Sequence, residues 1–551
     1  MDIPKEYTGR PLAEAVREAY RRGEEDETLG PLVLTDRQGR PKGRIGRGDA
    51  VIFYNIRGER EVELTRSLTE RDFRAFPGTT DLALEFTTMI EYRRGLPVRV
   101  AFPPEGILQG TLSDTISAGG LAQVKITEAE KAVHVGYFLN GKKEDPLPGE
   151  ERIIVPSRKD VALFDQAPEM SSTGITEAAI EKIRDPGASF IFVNLPNVDV
   201  VGHIENEEAI LQAVRCVDEC AGRIVEAAVR EGVTAIVTAD HGTVEKWLYP
   251  DGNVDTGHTD SPVPLILIGA GPGVTLRPDG ELADVAPTVL SLLGLSAPAI
   301  MTGRPLIEPA PAVPPDSAGE TSSSPAGREE GRLPARRVLL LVLDGWGWSD
   351  ERRGNLIAKA RPPRINALMR AWPHTTLQAA GEAVGLPAGS VGNSEAGHLH
   401  IGAGRRIYSD RVKIDRAIAD GSFYRNEAFL RTIRAARAAG APLHLLGIVS
   451  FFSSHGSINH LFALMELARR EGIRDLYIHA MLGRRGELPE SGAHYVGSIE
   501  EKAAEIGLGK VVSVIGRYWS MDREENWDRI EKTYRLLVAG EGTPCRDGEE
   551  R

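Results

Sequence analysis

Val338-Leu339-Leu340-Leu341-Val342-Leu343-Asp344-Gly345-Trp346-Gly347 places six apolar residues in a row and closes them with an aspartate and a glycine. A run without polar alternation reads as a strand covered on both faces, as in parallel sheets. Two other stretches have the same form. Phe190-Ile191-Phe192-Val193-Asn194-Leu195 leads through Pro196-Asn197-Val198 to Asp199 and then His203, and Thr234-Ala235-Ile236-Val237-Thr238 leads to Asp240-His241. Open α/β sheets bind ligands outside the carboxyl ends of their strands, which is where these acids and imidazoles fall. The fold class expected is therefore α/β.

Outward from these strands, Val391-Gly392-Asn393-Ser394-Glu395-Ala396-Gly397-His398 sets a serine among small residues, with Gly402 and Gly404 just beyond. A serine is a weak nucleophile until a base or a metal lowers its pKa. Thr256-Gly257-His258-Thr259 precedes a further apolar run, 263–268. Carboxylate oxygen and imidazole nitrogen together suit divalent transition metals.

The chain has 551 residues, long enough for two or more domains with full cores. A net charge of -13 and no block of basic residues argue against a nucleic-acid partner. Three cysteines, Cys216, Cys220 and Cys545, make no disulfide framework. No apolar run is long enough to span a membrane, and the charged N-terminal stretch does not read as a signal peptide. A cytoplasmic protein is expected, and a monomer.

Taken in order, residues 11–22 carry Leu12, Ala15, Val16 and Ala19 on one helical face. Asp49-Ala50-Val51-Ile52-Phe53-Tyr54-Asn55 reads as a buried strand delivering Arg57 and Arg60, whose planar guanidinium groups suit carboxylate or phosphate. Residues 96–105 read as a strand ending in a hinge. Glu130-Lys131-Ala132-Val133-His134 leads into 136–140, expected as a strand. A helix is expected over roughly 205–231, and another opening at Asp284 and running to Leu295. Residues 309–335 are rich in Pro, Ala, Ser, Gly and Glu and nearly lack large apolar side chains, the composition of a linker. After the Ser394 loop come strands at 443–449, 476–481 and 511–515. A final helix finishes near Leu537 and gives way to a polar tail.

These motifs resemble those of the cofactor-independent (2,3-bisphosphoglycerate-independent) phosphoglycerate mutases of the alkaline phosphatase superfamily, in a different order. In that family the strand matching 338–343 begins the protein, and the helix ending near Leu537 runs on into the region matching 1–22. The resemblance thus implies a circular permutation, with the family's two ends joined through 309–335. Domain organisation is expected accordingly. An alkaline-phosphatase-like doubly wound sheet domain takes 106–308 and 336–408, and a second, transferase-like α/β domain takes 1–105 and 409–551.

By the same resemblance Asp199, His203 and His258 hold one divalent ion, and Asp240, His241, Asp344 and Ser394 hold another. The ions are expected to be Mn²⁺, with Mg²⁺, Zn²⁺ or Co²⁺ compatible with the ligands; no 2,3-bisphosphoglycerate is required. Ser394 is the implied nucleophile. His455, Arg485, Arg517, Arg523, Arg57, Arg60 and Lys131 are the implied contacts of a small phosphoglycerate substrate. Two loops depart from the family. Its Asp-Gly-Gly-Val-His-Ser-His is Phe451-Phe452-Ser453-Ser454-His455-Gly456-Ser457 here, and its Asp-Gly-Arg-Asp-Thr-Pro-Pro is Gly483-Arg484-Arg485-Gly486-Glu487-Leu488-Pro489. The second of the lost aspartates contacts glycerate in the family; Glu487 is its nearest acidic substitute. The activity expected is interconversion of 3- and 2-phosphoglycerate. The changed loops leave open a phosphatase or mutase for another phosphorylated hydroxy acid, and a non-catalytic binding paralogue.

Overall fold

A computed structural model of the chain describes residues 11–78, 81–271, 273–308, 337–451, 453–483 and 489–547. The 309–335 stretch, Phe452, Arg485 and Glu487 lie outside the described residues. The chain forms two compact units, Met1–Pro104 with Asp410–Arg551, and Glu105–Ser409. Each is a mixed α/β unit built on an eight-stranded sheet.

In the Glu105–Ser409 unit, Val338–Leu343 occupies the middle of the sheet. It pairs in parallel with Phe190–Leu195 on one side and Thr234–Thr238 on the other, with Val338 opposite both Phe190 and Thr234. All six of its residues are buried, as the unbroken apolar run requires. Gln123–Glu128 and Glu150–Val155 continue the parallel part beyond Phe190–Leu195. On the other side Val263–Ile268 runs antiparallel to Thr234–Thr238, followed by His374–Gln378 and Gly280–Glu281. Helices including Ser172–Arg184, Glu207–Arg230 and Val285–Leu293 bury their apolar faces in the same core.

The other unit orders its strands Thr543–Arg546, Leu32–Thr35, Lys510–Gly516, Leu476–Leu482, Leu443–Ile448, Ala50–Phe53, Glu85–Ile90 and Arg99–Phe102. Its inner strands are parallel, and Leu32–Thr35 is antiparallel to Lys510–Gly516.

Two sequence expectations are corrected. Residues 136–140 are not a strand; His134–Phe138 forms a single π-helical turn. Val135 and Gly136 are buried, Tyr137 and Phe138 half-buried, and Leu139 and Asn140 buried again, a period near four that suits a helical turn, whereas a pleat would alternate residue by residue. The segment after Leu537 is not simply a polar tail. The helix Trp527–Ala539 ends at Gly540 in the left-handed conformation (φ +72°), and Thr543–Arg546 then adds an edge strand parallel to Leu32–Thr35. Pro544 sits in that strand, where an outer edge tolerates its missing N–H.

Candidate metal centre and nucleophile

The three central parallel strands end side by side, so the residues that follow them converge. Asp344 follows Leu343 directly, Asp240 and His241 follow Thr238 by two and three residues, and Asp199 lies in the short helix Asn197–Gly202 just past Leu195. Close backbone approach makes the convergence possible. The Asp199 N–H donates to the Asp344 carbonyl at 3.1 Å. At Gly345 (φ +81°) a β-carbon would fall 2.7 Å from the Asp199 nitrogen, and at Gly397 one would fall 2.5 Å from the Asp240 carbonyl oxygen.

Ser394 begins the helix Ser394–Ala403, whose N-cap Asn393 accepts the Ala396 N–H at 2.8 Å. A helix N-terminus favours negative charge on the serine oxygen. Ser394 Oγ lies 2.6 Å from Lys131 Nζ, 2.9 Å from His241 Nε2 and 3.3 Å from Asp344 Oδ1. Lys131, just before the π-helical turn, also reaches Asp199 Oδ2 at 2.7 Å and Asp344 Oδ1 at 3.0 Å. It therefore sits among the carboxylates, not apart from them.

The histidines fit a metal centre. Each gives its Nδ1–H to a backbone carbonyl: His203 to Thr256 (2.8 Å), His241 to Gly242 (3.1 Å), His258 to Gly392 (3.0 Å). With Nδ1 committed to a carbonyl, Nε2 is the nitrogen left to ligate a metal. These Nε2 atoms face inward: that of His258 is 3.1 Å from Asp199 Oδ1 and 3.1 Å from His203 Nε2, and that of His203 is 3.4 Å from Asp199 Oδ1. Ligands at about 2.1 Å from one ion have such a spacing. His241 Nε2 is 3.4 Å from Asp344 Oδ1 and 3.6 Å from both Asp199 Oδ1 and Asp240 Oδ2. Asp240 Oδ2 is buried and without a hydrogen-bond partner. Its near neighbour His398 Nδ1, at 3.2 Å, is committed to the Ser394 carbonyl at 2.9 Å.

Two sets of ligand atoms lie close enough to share an ion: Asp199, His241 and His258, and Asp240, His241 and Asp344. His241 belongs to both. His203, with its side chain 44% exposed, stands at the rim of the first. The electrostatics agree. Burial alone would neutralise Asp199, but His241 and Lys131 hold its carboxyl well below the usual range. Burial likewise opposes charge on His241, yet Asp240 and Asp199 outweigh it and raise the imidazole to about 10. Three carboxylates face one lysine and one imidazole, so the cluster still carries excess negative charge that further cations would neutralise.

Asn194 and His398 have no role in the sequence reading. Asn194 Nδ2 donates to Asp344 Oδ2 at 2.8 Å and lies 3.2 Å from His398 Nε2. Its signal was available: one amide inside an otherwise apolar buried strand must find a polar partner.

The described residues expected to contact substrate in the other unit fall in three places. Arg60 and Arg517 line a cavity of about 550 Å³ with Glu25, Glu27, Met521 and Arg529. Arg57 and Arg523 both pair with Glu59, at 3.3 and 3.0 Å, on the surface. His455 is buried, with Nδ1 3.1 Å from Glu61 Oε1.

Known proteins match parts of the chain. A profile of the Metalloenzyme superfamily matches residues 35–297, and one for the N-terminus of BPG-independent phosphoglycerate mutases matches residues 414–550, after it in the chain. The 2,3-bisphosphoglycerate-independent phosphoglycerate mutase of Moorella thermoacetica is 44% identical over 298 residues, covering 54% of this chain and 57% of that one. The enzyme of that name from Thermomicrobium roseum is 44% identical over 309 residues, covering 54% and 58%. A crystal structure of Leishmania mexicana phosphoglycerate mutase at low cobalt concentration matches 50% of this chain and 53% of that one, at 32% identity and a TM-score of 0.36. The chain spans little more than half the length of the curated relatives it matches. Over these stretches the chain is similar to the 2,3-bisphosphoglycerate-independent phosphoglycerate mutases and to the Metalloenzyme superfamily.

Proposed function

We propose that the chain interconverts 3-phosphoglycerate and 2-phosphoglycerate in glycolysis and gluconeogenesis, with Ser394 as the group that carries the phosphoryl. The observation behind this reading is the placement of Ser394 Oγ at a helix N-terminus, within 3.3 Å of Lys131, His241 and Asp344. Asp199, His203 and His258 would hold one divalent ion, and Asp240, His241, Asp344 and Ser394 a second; Mn²⁺ is the ion we favour. Assigning His241 to one ion is part of the proposal, since its Nε2 is nearly equidistant from all three aspartates. When bound, such ions neutralise phosphoryl oxygens and lower the pKa of a hydroxyl.

Ser394, as alkoxide, attacks the phosphorus. The bond from phosphorus to the glycerate oxygen breaks, and that oxygen takes a proton. Lys131 Nζ holds positive charge beside the attacking oxygen. The other glycerate hydroxyl then attacks the phosphoserine, loses its proton, and Ser394 leaves as the alkoxide again. Positioning and charge neutralisation carry phosphoryl transfer, with little covalent work left to the protein. Water must be kept away, since hydrolysis of the phosphoserine makes the enzyme a phosphatase. Arg57, Arg60, Arg485, Arg517, Arg523 and His455 are proposed to recognise the phosphoglycerate, arginine forks suiting its carboxylate and phosphate. The circular permutation belongs to the same proposal and is supported by the N-terminus profile matching residues 414–550. Among the described residues no helix is long and apolar enough to cross a membrane.

The changed stretches 451–457 and 483–489 favour a second reading, a metal-dependent phosphatase or mutase acting on another phosphorylated hydroxy acid. The Mn²⁺-loaded protein incubated with 3-phosphoglycerate separates the two. Formation of 2-phosphoglycerate is expected; inorganic phosphate without it selects the second reading.

A further inference from the structure

Glu245 lies four residues past His241 and is 1% exposed. Both of its carboxylate oxygens are used within its own unit. Oε2 accepts the Thr243 N–H at 2.9 Å, and Oε1 accepts the Thr259 hydroxyl. Each donor is joined to the ligand cluster. Thr243 Oγ1 lies 3.4 Å from Asp199 Oδ1 and 3.4 Å from His241 Nδ1. Thr259 follows His258 directly. Its N–H donates to the Gly242 carbonyl at 3.1 Å, the same oxygen that takes His241 Nδ1 at 3.1 Å. Its carbonyl accepts the Gly392 N–H at 3.0 Å, and the Gly392 carbonyl takes His258 Nδ1 at 3.0 Å. Glu245 thus ties together the segments that carry His241 and His258.

Two glycines make room for this side chain. A β-carbon on Gly347, three residues past Asp344, would fall 2.1 Å from Glu245 Cδ, and one on Gly242 would fall 2.5 Å from Glu245 Oε1. Both hydrogen-bond donors are neutral, and burying a carboxylate on neutral donors costs stability. What the arrangement supplies is geometry: two oxygens on one planar group fix the separation of two segments, each of which presents an imidazole.

We infer that Glu245 is a positioning residue for the metal centre: by holding Thr243 and Thr259 it sets the places of His241 and His258 around Asp199. This rests on the two-ion reading above. His258 Nε2 lies 3.1 Å and His241 Nε2 3.6 Å from Asp199 Oδ1, and the three ligand atoms are close enough to share an ion. Hydrogen bonds carry the role. Glutamine can keep both, its oxygen accepting the Thr243 N–H while its amide donates to Thr259 Oγ1. Alanine keeps neither and leaves a buried N–H unpaired. Groups that orient metal ligands from behind are commonly worth about 10- to 100-fold in metal affinity.

The test titrates Mn²⁺ into the full chain after chelation, in wild type, Glu245→Ala, Glu245→Gln and Thr259→Val, and follows the paramagnetic resonance of the free ion. Glu245→Ala is expected to weaken binding about 10- to 100-fold, and Thr259→Val, which removes one of the two bonds at nearly constant volume, about 10-fold. Glu245→Gln is expected to bind nearly as wild type does. Wild-type affinity in Glu245→Ala or in Thr259→Val, or a loss in Glu245→Gln as large as that in Glu245→Ala, overturns the inference. A second readout reports ligand geometry and not stability: the visible bands of the protein saturated with Co²⁺. Glu245→Ala is expected to shift them and Glu245→Gln to leave them in place. Bands unchanged in both Glu245→Ala and Thr259→Val refute the positioning role. A wild type that binds no Mn²⁺ removes the two-ion reading and this inference with it; a wild type that binds no more tightly than Glu245→Ala removes this inference alone.

Discussion

His400 makes the helix that carries Ser394 sensitive to acid. Its ring is 1% exposed, and both nitrogens are used. Nδ1 donates to the Ala396 carbonyl at 2.7 Å, and Nε2 accepts the Ile407 N–H at 2.9 Å. A proton on Nε2 would face that N–H. Burial pushes the imidazole down from 6.5 to about 4; the Ala396 carbonyl opposes this and Arg406 adds to it. The unfolded chain therefore binds more protons than the folded one between about 4 and 6.5, and stability falls as pH falls through that window. With these two values, linkage gives a loss of about 2 kcal/mol on going from about pH 7.5 to about pH 5, rising to about 3.4 kcal/mol well below pH 4. Urea unfolding at the two pH values, in EDTA, measures the loss. Other groups titrate too, so the decisive quantity is a double difference. His400→Gln, which still offers an acceptor to Ile407, should lose about 2 kcal/mol less than wild type over the same interval. Equal losses in the two proteins would refute the argument, whatever the variant's stability near neutrality.

The other expected outcomes concern the cluster itself and one buried ion pair. Chelation should lower the unfolding temperature and Mn²⁺ restore it, since each ion that binds only the folded chain stabilises by about 2.7 kcal/mol at a hundredfold excess over its Kd; a calorimetric Tm indifferent to both contradicts the two-ion site. Because His241 is raised to about 10 and His203 is raised by its bond to Asp199, Mn²⁺ must displace protons and should bind more tightly as pH rises. Ser394→Ala should abolish both 2-phosphoglycerate formation and the phosphoserine detected by mass spectrometry; residual mutase turnover removes the covalent route. Glu150→Gln should cost about 3 kcal/mol by removing the counter-charge of Lys125, whose Nζ lies 3.2 Å from Glu150 Oε1 with both side chains wholly buried and would keep only the neutral partners Ser113 and Asn140. Lys125→Met should cost less, because Arg152 Nε stays 2.6 Å from the Glu150 carboxylate, and urea unfolding that ranks the two the other way sinks this account.

What was legible in the sequence was what rests on short-range pattern. The runs 190–195, 234–238 and 338–343 form the buried parallel strands they resemble, because an uninterrupted apolar segment has few other ways to hide both faces. Asp199, Asp240, His241 and Asp344 meet because parallel strands end on the same side. The π-helical turn at His134–Phe138 escaped because an aromatic-rich pentapeptide suits a strand locally; the burial of Val135–Gly136 and Leu139–Asn140 in pairs is a tertiary fact. The strand Thr543–Arg546 escaped for a similar reason. Its four residues are polar or small, and only the edge of Leu32–Thr35 gives them a partner. Glu61 left no mark at all, since a glutamate in a charged loop is ordinarily solvated and its partner His455 is 394 positions away.

The proposed reordering of the chain is compatible with the same physics. In one sheet the middle strand, 338–343, is made from residues later than both of its neighbours, 190–195 and 234–238. In the other, Ala50–Phe53 pairs with Leu443–Ile448, and Leu32–Thr35 joins Lys510–Gly516. A parallel ladder needs two buried segments pointing the same way and says nothing about which was reached first along the chain. The strand ends, and whatever acids and imidazoles follow them, come together once the sheet is complete. The cost of a different order is loop closure, which grows only with the logarithm of loop length. A ligand cluster assembled at strand ends is therefore insensitive to where the chain is cut, whereas a site drawn from one continuous loop would be lost by a cut within it.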